Sequence, residues 1–330
     1  MQYVQLGRSG LQVSRLALGC MSYGNPQWRP WVLDETAAQP LFRRAVEAGI
    51  TFFDTADMYS LGLSEEVTGR ALKTYARREE VFIATKVNFP MGPGPNMGGL
   101  SRKHILQAFD ASLKRLGGDA IDLYQIHRVD PGGRIDQTRE ALNDLVRGGK
   151  VRYIGASSGS AWRLAKALSA SERRGWARFI SMQNHYNLIY REEEREMIPL
   201  CLDEGIGLVP WSPLARGLLT RPRPADGNVR GGQTARSTSD EYSPKLYDSP
   251  GDWDVVDALE RVAKARGATM AEVGLAWLLG RPGVVAPIIG ATKLEHLKGA
   301  LRAVDLQLTA DERAALEAPY RPHAVKGFTV

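Results

Sequence analysis

Along the chain, short apolar runs alternate with longer stretches whose apolar residues recur every three or four positions. The first pattern suits buried strands and the second amphipathic helices. The opening stands apart: Tyr3-Val4-Gln5-Leu6, a Gly7-Arg8-Ser9-Gly10 turn and Leu11-Gln12-Val13 predict a hairpin cap over residues 1–13. Leu16-Ala17-Leu18-Gly19-Cys20 then reads as a strand, and 34–48 as a helix with Leu41, Phe42, Ala45 and Val46 on one face and Gly49 as its stop.

The alternation repeats. Strand 51–53 leads to a helix over 64–75. Strand 81–85 leads, through a Gly- and Pro-rich loop over 89–99, to a helix whose Ile105, Leu106, Phe109, Leu113 and Leu116 share a face. Strand 121–126 leads to a helix holding Leu142, Leu145 and Val146 and closed by Gly148-Gly149, strand 151–156 to a helix over 161–171, and strand 179–182 to one over 192–203. A strand over 207–211 opens a long, weakly periodic stretch, 212–250, expected to be a functional loop over a cofactor site. Helices over 253–266 and 270–279, a strand over 284–289 and a helix through Leu294, Leu297 and Leu301 follow. A last helix spans 309–316, with Thr309 as N-cap and Glu312 at the capping-box position.

Eight strand-then-helix units predict an α/β chain folded as a (β/α)8 TIM barrel, with 1–330 as one domain. A doubly wound sheet would need a glycine fingerprint opening a helix after an early strand. Gly92, Gly94 and Gly98 lie instead in a proline-interrupted loop. Composition agrees: 330 residues, 43% hydrophobic and 24% charged, can bury a large core. The net charge of +6 is spread among acidic neighbours, as in Arg77-Arg78-Glu79-Glu80, so no nucleic-acid stripe is expected. Apolar runs such as Val284–Ile289 fall far short of a membrane span, and no apolar leader opens the chain. Cys20 and Cys201 read as buried, reduced thiols, and the cytoplasm is the expected compartment.

Four residues at the carboxyl ends of three successive strands carry the chemistry: Asp54 and Tyr59 in Asp54-Thr55-Ala56-Asp57-Met58-Tyr59, Lys86, and His127. A phenol normally titrates near pH 10, so Tyr59 needs a nearby cation to work as an acid or base. Lys86 can supply it, Asp54 can hold the ammonium, and His127 can donate to an oxygen gaining negative charge. Taken singly, each reads more simply as a helix cap, a rim aromatic, a snorkelling amine or a structural histidine. Together they suit hydride arriving at a carbonyl carbon while Tyr59 protonates the oxygen, or the reverse. The remaining histidines are scattered, so no metal is expected.

With these motifs, Ala84-Thr85-Lys86, Gln125-Ile126-His127-Arg128, Ile154-Gly155-Ala156-Ser157-Ser158, Trp211-Ser212-Pro213-Leu214-Ala215-Arg216-Gly217 and Pro287-Ile288-Ile289-Gly290-Ala291-Thr292 resemble the successive motifs of the aldo-keto reductases. Met182-Gln183, the stretch 184–197 and the tail Pro319-Tyr320-Arg321-Pro322-His323 resemble the bacterial YajO-type branch, often labelled 1-deoxyxylulose-5-phosphate synthase. The resemblance implies a catalytic tetrad of Asp54, Tyr59, Lys86 and His127, with Tyr59 the general acid, and a nicotinamide cofactor bound without a Rossmann fold. It implies cofactor contacts at Gly19, Cys20, Met21 and Asp54, a carboxamide site at Ser157, Ser158 and Gln183, and Trp211 against the nicotinamide. Ser212, Pro213, Leu214, Arg216 and Gly217 would line the pyrophosphate. Gly290, Thr292, Lys293, His296 and Arg236 would surround the adenosine end, favouring NADPH over NADH; there His296, Gly299 and Ala300 depart from the family's usual residues.

The substrate implied is a small carbonyl compound, met by Tyr23, Trp28, Trp31, Tyr59, Phe89 and His127. Two rivals stand beside carbonyl reduction: formation of 1-deoxyxylulose 5-phosphate, and a cofactor-loaded regulatory subunit similar to the potassium-channel β subunits. Those subunits carry Asn where His127 stands, and the tetrad offers no one-step deoxygenation. The sequence leaves the oligomeric state open, a homo-oligomer included.

Overall fold

A computed structural model describes residues 1–130, 132–224, 235–247, 249 and 251–327. Strands β1 (Tyr3–Gln5) and β2 (Gln12–Ser14) form the expected antiparallel hairpin. Eight parallel strands follow: β3 (Ala17–Gly19), β4 (Phe52–Asp54), β5 (Phe82–Val87), β6 (Ile121–Ile126), β7 (Val151–Ser157), β8 (Phe179–Gln183), β9 (Gly207–Leu208) and β10 (Ile288–Ile289). They neighbour one another in the order β10-β3-β4-β5-β6-β7-β8-β9. A parallel bridge between Leu208 and Val284 joins the two ends, with Val285 N donating to Leu208 O at 2.8 Å. The sheet thus curls into the (β/α)8 barrel that the alternation predicts.

Helices α1 (Glu35–Glu47), α2 (Leu63–Tyr75), α3 (Arg102–Leu116), α4 (Ile135–Arg147), α5 (Ala161–Arg174) and α6 (Met197–Glu204) pack outside it. Short α7 (Ala235–Ser239) and α8 (Ser243–Leu246) lie in the long loop, and α9 (Asp252–Arg266), α10 (Met270–Leu279), α11 (Leu294–Ala303) and α12 (Ala310–Glu317) complete the order. Thr309 caps α12 in a reciprocal capping box with Glu312, as expected. No helix among the described residues is long and apolar enough to cross a membrane.

Three elements differ from the sequence reading, one of them the strand expected over 207–211, which is limited to β9, Gly207–Leu208, ahead of Pro210 with its missing N–H. The helix expected over 192–203 is a 3-10 turn, Glu192–Glu194, followed by α6. Pro199 lies in the first turn of α6, where its missing N–H costs nothing, and its ring forbids a helix running through Arg195. The strand expected over 284–289 narrows to β10, because Pro287 has no N–H for the ladder and only its carbonyl pairs, with Ala17 N at 3.1 Å. Of the 212–250 stretch, residues 225–234, 248 and 250 lie outside the described residues.

The core has two layers. The larger lies between helices and barrel; the smaller fills the barrel with Ala17, Phe52, Phe82, Ala84, Leu123, Val209 and Val285, and the hairpin closes its lower end with Leu6 and Val13. Side chains two apart on a strand face the same way. Phe52 therefore sets the inward direction for Asp54, Phe82 and Ala84 for Lys86, and Leu123 for Gln125, so the polar residues sit one layer above an apolar plug.

The outer layer depends on close helix contact at Gly69 on α2, where a Cβ would fall 2.3 Å from the Leu116 carbonyl oxygen at the end of α3. Gly69→Ala is expected to cost about 1–3 kcal/mol through this overpacking. Urea unfolding should show a lower midpoint, and an unchanged midpoint would count against the contact.

Candidate active site

Lys86 is fully enclosed, which an ammonium tolerates only with a complete set of acceptors. Its Nζ donates to Asp54 Oδ1 at 2.5 Å, to the Thr55 carbonyl at 2.9 Å and to the Tyr59 hydroxyl at 3.4 Å. These three bonds exhaust its protons. Asp54 Oδ2 accepts from Gln125 Nε2 at 3.1 Å and Gln183 Nε2 at 2.9 Å, so β4, β5, β6 and β8 meet in one network. Burial pulls the Lys86 pKa down, but Asp54 and Tyr59 outweigh it and the net shift is upward.

Tyr59 reaches this network from a strained turn. Ser60, Leu61 and Gly62 have φ of 50°, 52° and 94°, and the left-handed region is unfavourable for the first two. Neighbours hold the turn: Ser60 Oγ accepts from Asn25 N at 3.1 Å, Asp57 Oδ1 from Met58 N at 2.7 Å, and Ser64 Oγ donates to Cys20 O at 2.7 Å. The Tyr59 ring meets His127 edge-on at 5.6 Å and Trp28 at 6.4 Å. Burial raises the Tyr59 pKa; Lys86 opposes this without reversing it. The phenol is therefore held protonated rather than made acidic, which differs from the expectation that the ammonium dominates.

His127 follows β6, its ring edge-on to Phe89 at 4.8 Å. Burial, reinforced by Lys86 and Arg128, holds its pKa well below the ordinary histidine value, so the imidazole is neutral. Nδ1 is enclosed without a partner. Placing the proton on Nε2 leaves no buried N–H unpaired and gives the mouth one donor.

Beside the tetrad, Ser157 Oγ donates to the Gln183 carbonyl at 2.9 Å, and Ser158 Oγ accepts from Trp211 Nε1 at 2.9 Å. The Trp211 indole is stacked on His185 at 4.3 Å, and His185 on Tyr190 at 4.2 Å. Next along the chain, Ser212, Ala215, Arg216 and Gly217 all have positive φ, from 47° to 105°, in a tight turn where Ala215 N donates to Ser212 O and Gly217 N to Leu214 O, both at 2.9 Å. Arg216 and Arg236 share Asp240, at 2.6 and 3.3 Å, and the Arg236 guanidinium lies 4.5 Å from the Trp31 ring. Arg236 Nη1 is also 4.0 Å from where a Cβ on Gly290 would stand, which brings the long loop to the start of the Thr292-Lys293 segment. There, His296 Nδ1 accepts from Thr292 N at 3.4 Å.

Not every expected residue faces this mouth. Tyr23 is wholly enclosed, packs on Phe42 at 5.0 Å and donates to the Ala291 carbonyl at 2.8 Å, so it belongs to the outer core and not to a substrate wall. Trp31 is buried beneath Arg236 and lies with the long loop. The Cys20 thiol is enclosed, its pKa pushed by burial to about 12, leaving only its backbone for a ligand. Gln183 keeps its amide nitrogen on Asp54, so only its oxygen is left for another partner. Three participants went unnamed as site residues: Gln125, Arg128 and His185. A polar residue at an inward-facing strand position was the available signal for Gln125. Nothing local marks His185, because its role comes from stacking between residues distant in sequence.

The model of the Aldo/keto reductase family matches residues 15–321. The chain belongs to the aldo/keto reductase family. It is 45% identical to versiconal hemiacetal acetate reductase of Aspergillus parasiticus, covering 98% of each protein. It is 43% identical to an aldo-keto reductase of Fusarium vanettenii, covering 99% of this chain and 93% of the relative. A Schizosaccharomyces pombe protein bearing the provisional name aryl-alcohol dehydrogenase is 44% identical, with 98% and 97% covered. These relatives and the family support an oxidoreductase acting by carbonyl reduction.

Removing the Asp54 carboxylate would leave a sealed ammonium with two of its three acceptors. Asp54→Ala is expected to cost about 3–5 kcal/mol of stability as well as activity. Denaturant unfolding measures this, and a midpoint equal to that of the parent would refute the pairing.

Proposed function

We propose that this aldo/keto reductase uses NADPH to reduce an aldehyde or ketone to an alcohol, with Tyr59 as the acid. The observation that carries the reading is the Lys86 ammonium bonded to both Asp54 and the Tyr59 hydroxyl beside a neutral His127.

The residues present suit a nicotinamide cofactor. The Trp211 indole, steadied by Ser158 and stacked on His185, offers an apolar face at the mouth. The tight turn with positive φ at Ser212, Ala215, Arg216 and Gly217 supports a backbone cradle for phosphate oxygens. Arg236 and Lys293 supply cations for the 2′-phosphate that distinguishes NADPH from NADH. When bound, the cofactor supplies hydride. Around it, Ser157 and Gln183 would hold the carboxamide, His127 Nε2–H would orient the carbonyl oxygen and favour its growing charge, and Tyr59 would deliver the proton. Lys86 stabilises the phenolate left behind, and Asp54 keeps the ammonium in place.

The relatives' names favour carbonyl reduction over the 1-deoxyxylulose-forming alternative and the YajO-type branch, and no group in the tetrad supplies a deoxygenation. His127 speaks against a purely regulatory subunit. The reading extends to one barrel domain acting on small molecules in the cytoplasm.

Tyr59→Phe should abolish NADPH oxidation with a test aldehyde while NADPH still quenches tryptophan fluorescence; persisting turnover would remove Tyr59 from its role. A raised Tyr59 pKa keeps the acid form populated through neutral pH. Reduction should therefore hold steady there and fall only at strongly alkaline pH, while alcohol oxidation, which needs the phenolate, should rise with pH. A loss of reduction centred near neutrality would contradict this. Arg236→Ala should raise KM for NADPH about tenfold and leave KM for NADH nearly unchanged, an effect of the size expected for one charge-assisted bond. Equal changes for both would move the 2′-phosphate site elsewhere.

A further inference from the structure

Among the described residues, three cations around the mouth have carboxylate partners. Lys86 is paired with Asp54, and Arg216 and Arg236 share Asp240. Arg128, immediately after His127, has none. Its Nη1 donates to the His127 carbonyl at 2.7 Å and to Ser157 Oγ at 3.5 Å, and the Tyr242 hydroxyl lies beside it. All three partners are neutral. The residue is only partly buried, so it keeps some exposure next to His127. The guanidinium is walled by aromatic rings, with Phe89 at 5.9 Å and Trp211 at 5.6 Å, and Phe89 in turn packs on the His127 ring.

A half-buried guanidinium without a counter-charge is costly, and a planar fork matches a carboxylate in two parallel bonds. We propose that Arg128 is a substrate-binding residue of this reductase, and that the preferred substrate is an aromatic aldehyde or ketone bearing a carboxylate on its ring. The aromatic walls accept the ring, Arg128 takes the carboxylate, and the carbonyl oxygen is left to His127 and Tyr59. This rests on the carbonyl-reductase reading above. It adds the class of substrate and the residue that selects it.

The test compares benzaldehyde with the three carboxybenzaldehydes, using NADPH. In the parent protein at least one carboxy isomer should show a higher kcat/KM than benzaldehyde, carried by KM. In Arg128→Met the ratio of the two kcat/KM values should fall about tenfold or more, and Arg128→Lys should recover part of it. A ratio unchanged in Arg128→Met overturns the proposal, including the case where KM for NADPH rises and all aldehydes suffer alike, since Arg128 would then serve the cofactor. A second measurement needs neither turnover nor a variant. By calorimetry, with and without NADP+, benzoate should bind the parent protein about tenfold tighter than its uncharged analogue benzamide. Equal binding in both states overturns the proposal. Failure of every aldehyde to react, with benzoate still preferred, would defeat the reductase reading and leave the anion site standing.

Discussion

The structure turns on one buried charge pair. Lys86 and Asp54 lie inside the barrel, where an ammonium or a carboxylate alone would lose far more in desolvation than any single contact returns. The pair is tolerable because every polar atom is met: Thr55 and Tyr59 complete the ammonium, and Gln125 and Gln183 complete the carboxylate. Each partner comes from a different strand or from the turn after one, so strand register and inward parity must all be right at once. Gly155 shows how tight this is. A Cβ there would come within 2.5 Å of Ser181 Oγ and 3.1 Å of Gln125 Cγ, in the space the glutamine uses to reach Asp54.

The same network sets the protonation states that the chemistry needs. Burial keeps the Tyr59 phenol protonated, and burial with two neighbouring cations keeps His127 neutral. An acid poised to give its proton and a neutral donor beside it suit reduction of a carbonyl more naturally than its reverse at neutral pH. In the reaction proposed above, the ammonium would act mainly after the proton has left, when a phenolate needs a counter-charge. The strain at Ser60 and Leu61 fits this picture, because the turn must bring a phenol over an amine that lies inside the barrel.

Around this centre the mouth is assembled from far-separated segments. The end of the chain folds back, with His323 Nε2 2.6 Å from Asp252 and the Tyr320 hydroxyl donating to Glu192 at 2.6 Å. This brings Gly327 to the edge of Trp211, where a Cβ would stand 3.3 Å from the indole. From the other side, Arg236 reaches across to Trp31. The Trp211 face and its stack on His185 and Tyr190 are thus braced by the tail and the long loop, while Lys86 and Asp54 are held by the barrel.

The periodicity alone determined the hairpin, the succession of strands and helices and therefore the barrel, because burial of one face per element is a local property of the chain. It also placed Asp54, Lys86 and His127 at strand ends, since strand ends are marked by where apolar runs stop. The helix break at Pro199 and the narrowing of the last strand at Pro287 were present in the residues, yet the apolar rhythm around each proline masked them. Which enclosed residues face the mouth was decided only by the tertiary structure. Tyr23 turned outward to Ala291, Gln125 turned inward to Asp54, and Arg128 found neutral partners and no carboxylate among the described residues. The physical reason is that hydrophobicity reports whether a side chain leaves water. Its direction, its hydrogen-bond partners and its proton depend on groups supplied by strands many residues away.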